Sequence, residues 1–190
     1  DNTAADMIAD MVGRGNIEDL LPRLGHSAPE LMTPFLKTAD VFRLKSDTES
    51  ALDYMNASRA ERYWLLDKIA GTPLSSVNYK PGPFAMDRIG WRASTADLCR
   101  LMDRFRTGED RTARDILSVN PGLAIPGNRF DYAGYKGGAE PGVVSGAWLL
   151  MRENGDWYCL AGVWNNWRES PDEKRFQGLM QSAVYAIGGQ

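Results

Sequence analysis

The chain has 190 residues, 43% hydrophobic and 25% charged, an ordinary composition for a soluble domain large enough to bury a core without staples. Its formal charge of −3, with both signs interspersed, argues against a sequence-independent nucleic-acid binder, which needs clustered Lys and Arg. No run approaches the roughly 18–20 apolar residues of a membrane span, and no signal peptide opens the chain, although Asp1 is not a natural initiator and implies trimming or processing.

Asp1, Asn2 or Thr3 can cap a first helix, in which Ala4, Met7, Ile8, Met11 and Val12 form an apolar stripe at helical spacing. Gly13 and Gly15 end it. A short second helix is expected over 17–24, stopped by Gly25, and Pro29 and Pro34 punctuate the loop that follows. Thr38 is expected to cap a helical segment containing Ala39, Phe42 and Leu44. Ser58-Arg59-Ala60-Glu61 is a capping box, in which hydroxyl and carboxylate each satisfy a free amide; it starts a helix running to Ala70, which Gly71-Thr72-Pro73 stops. Residues 75–91, with Pro81, Gly82, Pro83 and Gly90, form a long irregular connection, a kind of loop that tends to be functional.

Ser94 opens a capped helix over 94–105, with Asp97 at its third position and Leu98, Leu101, Met102 and Phe105 on one face. A short helix over 115–119, a Pro/Gly loop over 120–128 and a strand containing Tyr135 follow. Two apolar runs, 143–151 and 157–164, flank Glu153-Asn154-Gly155-Asp156. An Asn-Gly between such runs predicts a hairpin whose two central residues take positive φ. Ser170-Pro171-Asp172-Glu173 has Ser at N-cap, Pro at N1 and Glu at N3, and the closing helix turns Phe176, Leu179, Met180, Ala183, Val184 and Ile187 toward the hairpin.

A helical block (1–119), then three antiparallel strands and a terminal helix (129–188), predict one α+β domain over 1–190. Both hairpin strands are apolar almost throughout, the pattern of an antiparallel sheet covered by helices on both faces. Three strands make a poor sheet alone, so the sheet is expected to be incomplete in this chain and to continue in sequence preceding Asp1. Cys99 and Cys159, the only cysteines, are too few for a disulfide scaffold or a Cys-based zinc site. The default reading is two buried free thiols, with a bridge between them as the alternative. His26, the sole histidine, is read as a loop residue, and no metal or other cofactor is implied.

The stretch with most chemical promise is Lys136-Gly137-Gly138-Ala139, which follows Phe130, Tyr132 and Tyr135 and precedes Glu140-Pro141-Gly142. A lysine near the end of a strand can set a fixed cation beside a pocket, and two glycines let a ligand approach the backbone. The plainer alternative is an edge strand with a surface lysine and a glycine bulge. A second, distant motif bears on the choice. Asp1-Asn2-Thr3-Ala4-Ala5-Asp6 looks like the continuation of a Ser-Asp-Asn motif, and Lys136-Gly137-Gly138 resembles Lys-Thr-Gly or Lys-Ser-Gly. In this order, with a helix, a strand, a hairpin and a terminal helix around them, they make the chain similar to the penicillin-recognising serine hydrolases. The class A β-lactamase branch is the nearest, and the similarity spans essentially the whole chain as the later, larger part of the family domain.

The resemblance implies a β-lactamase/transpeptidase-like fold and acyl transfer on β-lactams or D-Ala-D-Ala-type peptides. It implies a small-molecule or peptide substrate, a periplasmic or extracellular location, and a preceding segment of the same domain as partner. Asn2 would hydrogen-bond the substrate's acylamide side chain, and Asp1 would hold its loop through backbone contacts. Lys136 would be the catalytic cation, binding the carboxylate region and lowering the pKa of the motif serine. Gly137 and Gly138 would line the substrate, and the Ala139 backbone N–H would be one oxyanion donor.

Three departures qualify this. No serine in the chain is followed three residues later by lysine, so these 190 residues supply no nucleophile and are expected to be inactive by themselves. Gly137 lacks the hydroxyl the family usually offers a substrate carboxylate. The family's Glu-Pro-Glu-Leu-Asn pattern is matched by Ala28-Pro29-Glu30-Leu31-Met32, which leaves Glu30 as a water-activating base out of phase by two residues, or simply as a solvated carboxylate. Without a base an acyl-enzyme persists, which favours penicillin binding or slow hydrolysis. The alternative is a non-catalytic relative that uses the old cleft as a binding surface, with Trp164 and Trp167 as exposed aromatics.

Overall fold

The computed structural model describes residues 1–78, 82–109 and 111–189; Pro81 of the expected irregular connection lies outside them. The fold is α+β: among the described residues there are eight α-helices and one three-stranded antiparallel sheet, which does not close. The chain divides into two compact units, Asp1–Arg92 and Ala93–Gln190.

The first unit is helical: α1 (Asn2–Val12), α2 (Arg14–Arg23), α3 (Thr38–Ser46), α4 (Thr48–Asn56) and α5 (Arg59–Ile69). Its core is mostly aliphatic, with Leu36, Val41, Leu44, Ala51, Leu66 and Ile89 around Tyr54. The apolar stripe of α1 forms as spaced but buries nothing, Ile8 being 61% and Met11 85% exposed. The helix is held by its acids instead. Both oxygens of Asp6 accept amide hydrogens at the start of α3, from Thr38 at 2.7 Å and Ala39 at 2.8 Å, and Asp10 pairs with Lys37 at 2.8 Å. Thr38 is therefore not the cap of α3 but its first residue. Four free amides and the positive end of the dipole favour a carboxylate there, and Asp6 supplies it from another helix. The second helix runs Arg14–Arg23, three residues earlier than spacing predicts, and α4 was not foreseen: Asp47 caps it through Ser50 N at 2.8 Å. The Ser58–Glu61 capping box of α5 forms as expected.

The second unit is a sheet between helices. The strands β1 (Phe130–Glu140), β2 (Val143–Arg152) and β3 (Trp157–Asn165) pair in the order β1-β2-β3. Pro141 and Gly142 (φ 91°) turn β1 into β2, with the residue types a type II turn requires. The second turn departs from the two-residue form. Of Asn154 and Gly155 only Gly155 has positive φ (85°), Gly155 N donates to Arg152 O at 2.8 Å, and Arg152 N donates to Asp156 O at 2.9 Å. This is a three-residue hairpin loop closed by a glycine bulge.

Each face of this sheet is covered, as the apolar strands require. On one, α6 (Thr95–Thr107) lays Leu98, Met102 and Phe105 over Ala147, Leu149 and Ala161, and α7 (Thr112–Ser118) packs along β1. On the other, α8 (Glu173–Gly188) sets Phe176, Met180, Val184 and Ile187 against Trp148, Leu150, Tyr158 and Leu160. Leu179 points outward, 55% exposed, and the N-cap is Asp172, not Ser170, because its carboxylate takes the Arg175 amide at 3.0 Å. Trp164 is partly buried beneath the Arg175 guanidinium, so of the two expected exposed tryptophans only Trp167 is one. The cysteines are not free: Cys99 of α6 is bridged to Cys159 of β3, with Cα atoms 5.5 Å apart. The bridge was hidden in the sequence because α6 and β3 are brought together only by the fold.

Candidate functional site

Lys136, Gly137, Gly138 and Ala139 lie together on β1, an outer strand of the sheet as described, opposite Ala147, Gly146, Ser145 and Val144 of β2. Residues alternate between faces, so Lys136 and Gly138 turn toward α6 and α7, Tyr135 and Gly137 toward α8. Lys136 is exposed and its ammonium bonds the carbonyl of Gly137. No carboxylate pairs with it among the described residues. The Gly138 carbonyl accepts from Ser145 Oγ at 3.2 Å.

The central glycines belong to a row across the whole sheet. Gly137 stands opposite Gly146, and Gly146 opposite Gly162. A Cβ on Gly162 would lie 2.6 Å from Met180 Sδ, and one on Gly146 would lie 2.8 Å from Trp148 Cζ3. A Cβ on Gly137 would lie 2.6 Å from Tyr135 Cζ and would overlap the Tyr135 hydroxyl. The row is a trench that its neighbours fill. Gly137 is thus neither bulge nor spacer: the Tyr135 ring lies along the strand and takes the room a side chain would need. That ring stacks on Trp148 with centroids 4.8 Å apart at 24°, while Trp148 Nε1 donates to Pro121 O at 2.8 Å. Burial, and secondarily the charge of Glu173, push the Tyr135 phenol above its ordinary pKa; burial does the same to Tyr132, whose hydroxyl donates to Arg114 O at 2.9 Å.

The other candidate residues belong to the first unit. Asp1 is the N-cap of α1, its carboxylate accepting from Ala4 N at 3.0 Å, and Asn2 is the first helical residue, exposed. Glu30 lies exposed in a single 3-10 turn, Pro29–Met32, without a side-chain partner among the described residues. His26 is a loop residue with both ring nitrogens occupied, Nε2 against Arg92 O at 2.7 Å and Nδ1 accepting from Ala28 N at 3.1 Å. Among the described residues no group of His, Cys, Asp and Glu is placed to hold a metal ion, and no helix is long and apolar enough to cross a membrane.

Tyr135 is the residue sequence reasoning passed over. Its signal was its place two residues before a glycine in a strand, which puts both on one face. No family model and no curated protein matches the chain.

Proposed function

We propose that this chain carries two walls of the substrate cleft of a β-lactamase-like serine hydrolase. The activity is acyl transfer on β-lactams or D-Ala-D-Ala-type peptides, in a periplasmic or extracellular protein. What supports the reading is the order of the two motifs in the sequence, each on the element the family motif needs: Asp1-Asn2 at a helix start, and Lys136-Gly137-Gly138 on an outer strand, with Lys136 exposed and meeting no carboxylate among the described residues. In this reading Lys136 binds and polarises the substrate, the Ala139 N–H is an oxyanion donor, and Asn2 receives the acylamide group. The Cys99–Cys159 bridge supports the location, since disulfides persist in oxidising compartments.

A slow or acyl-trapping enzyme fits better than a fast β-lactamase. Glu30 is exposed and has no side-chain partner among the described residues to hold it as a base. Acylation of the intact protein by a labelled penicillin tests the reading. Labelling is expected, with Lys136→Ala reducing its rate by about 100-fold, the scale of losing one electrostatic stabiliser. No labelling, under conditions that label a known penicillin-binding protein, sinks it. The non-catalytic alternative would then account for Gly137 and the missing base, the cleft serving as a binding surface.

A further inference from the structure

Two polar side-chain tips converge on one peptide of β1 from opposite faces of the sheet. The Lys136 ammonium reaches the Gly137 carbonyl, and the Tyr135 hydroxyl occupies the space of the missing Gly137 side chain. The place of the Tyr135 ring is cleared by glycines. A Cβ on Gly122 would lie 2.5 Å from its Cε1, and one on Gly146 would lie 3.2 Å from its Cε2, while Trp148 stacks on the remaining face. The adjacent Trp148 spends its N–H on Pro121, and Tyr132 spends its O–H on Arg114. Tyr135 does neither: its hydroxyl forms no hydrogen bond among the described residues. A stacked phenol whose donor is unused among the described residues, and an ammonium on the other face that meets no carboxylate among them, flank one peptide of an outer strand and are suited to an anion that reaches past that edge with two acceptor oxygens.

We propose that Tyr135 is a specificity-determining residue, its phenol donating to the substrate carboxylate that Lys136 attracts, so that the hydroxyl absent from residue 137 is supplied by residue 135. This rests on the reading of β1 as the substrate-binding edge. It also accounts for Gly137: any side chain there would displace the phenol. Burial and the Glu173 charge keep the phenol protonated, hence a donor, throughout the neutral range.

Tyr135→Phe tests this, because it keeps the ring that fills the trench and removes only the hydroxyl. Binding to the intact protein is measured for benzylpenicillin and its methyl ester, and for an acylated D-Ala-D-Ala peptide and its C-terminal amide. The two pairs distinguish a β-lactam carboxylate from a peptide one. For whichever acid binds, Tyr135→Phe is expected to weaken affinity by about tenfold, the scale of one hydrogen bond to a charged group, and to leave the neutral partner unchanged. An equal change for acid and neutral form, or none for either, overturns the role of Tyr135; if Lys136→Ala still weakens the acid, the substrate edge survives that result. Failure of the unaltered protein to bind either acid overturns both.

Discussion

In the first unit, Asp1–Arg92, the helices are joined largely by carboxylates: Asp6 of α1 on the start of α3, Asp40 of α3 on Arg14 of α2 at 3.0 Å, and Glu18 on the Phe35 amide at 2.8 Å and on the Tyr63 hydroxyl. In the second, Ala93–Gln190, the joints are rings, glycines and one covalent bond: the Gly137–Gly146–Gly162 trench, the Tyr135–Trp148 stack and the Cys99–Cys159 bridge. The difference follows from what each must satisfy. A bundle of short helices presents many free amides at its N-termini, and each needs an acceptor. A sheet satisfies its amides by pairing, so what remains is to fill the space between sheet and helix. Of the candidate residues, Lys136 to Ala139 belong to the ring-packed unit, and Asp1, Asn2 and Glu30 to the carboxylate-joined one.

The largest effect should come from cutting the covalent joint. The bridge spans 60 residues, and closing such a loop in the unfolded chain removes entropy worth about 4 kcal/mol. Reduction, or Cys99→Ala with Cys159→Ala, is expected to lower the stability of the second unit by that order and to leave the first unaffected. Amide hydrogen exchange separates the two: β2 and β3 should lose protection while α3 to α5 keep theirs. Equal loss in both units would erase the distinction between them.

Removing an acid should break the first unit by the opposite route. Asp40 is 2% exposed, accepts from the Lys37 amide at 2.9 Å, and pairs with Arg14 Nη2 at 3.0 Å. Asp40→Ala leaves an uncapped amide and a partly buried guanidinium without its counter-charge, a loss of about 3 kcal/mol. Chemical denaturation followed by exchange should place this loss in α2 and α3. A change confined to the sheet would contradict the account.

The same contrast explains what could be read without coordinates. Joints made within four or so residues were legible: the capping boxes at Ser58–Glu61 and Ser94–Asp97, the three strands, and the closing helix with Phe176 and Val184 on its buried face. Joints made across the chain were not. Asp6 caps a helix 32 residues away, Cys99 meets Cys159, and the trench becomes visible only when three strands are in register. Helix α1 misleads for the same reason: its apolar stripe suggests a buried face, yet its acids bind α3 and the stripe stays outside. In the candidate site the tetrad and its strand were legible, and the ring over Gly137 was not, since side-chain direction is not written in residue spacing.

The smallest expected effect concerns a ring in the carboxylate-joined unit. Tyr54 is buried in the aliphatic core, and that burial raises its phenol from 10.0 to about 12, against the opposing pull of Arg62 and Arg14. Because the folded value lies above the unfolded one, folding favours the neutral phenol. Its contribution is complete below pH 10 and disappears as pH rises toward 12. At about 1.4 kcal/mol per pH unit, the loss is on the order of 2 kcal/mol. Stability measured from pH 9 to 12 should fall across that window, and Tyr54→Phe should flatten the fall while lowering little at neutral pH. Tyr63 in the same unit and Tyr132 and Tyr135 in the sheet unit are raised as well, so a residual slope in Tyr54→Phe is shared among these three phenols. A slope unchanged by Tyr54→Phe would mean that alkaline sensitivity resides in the other raised phenols, and that the helical core tolerates a buried phenolate better than its aliphatic lining suggests.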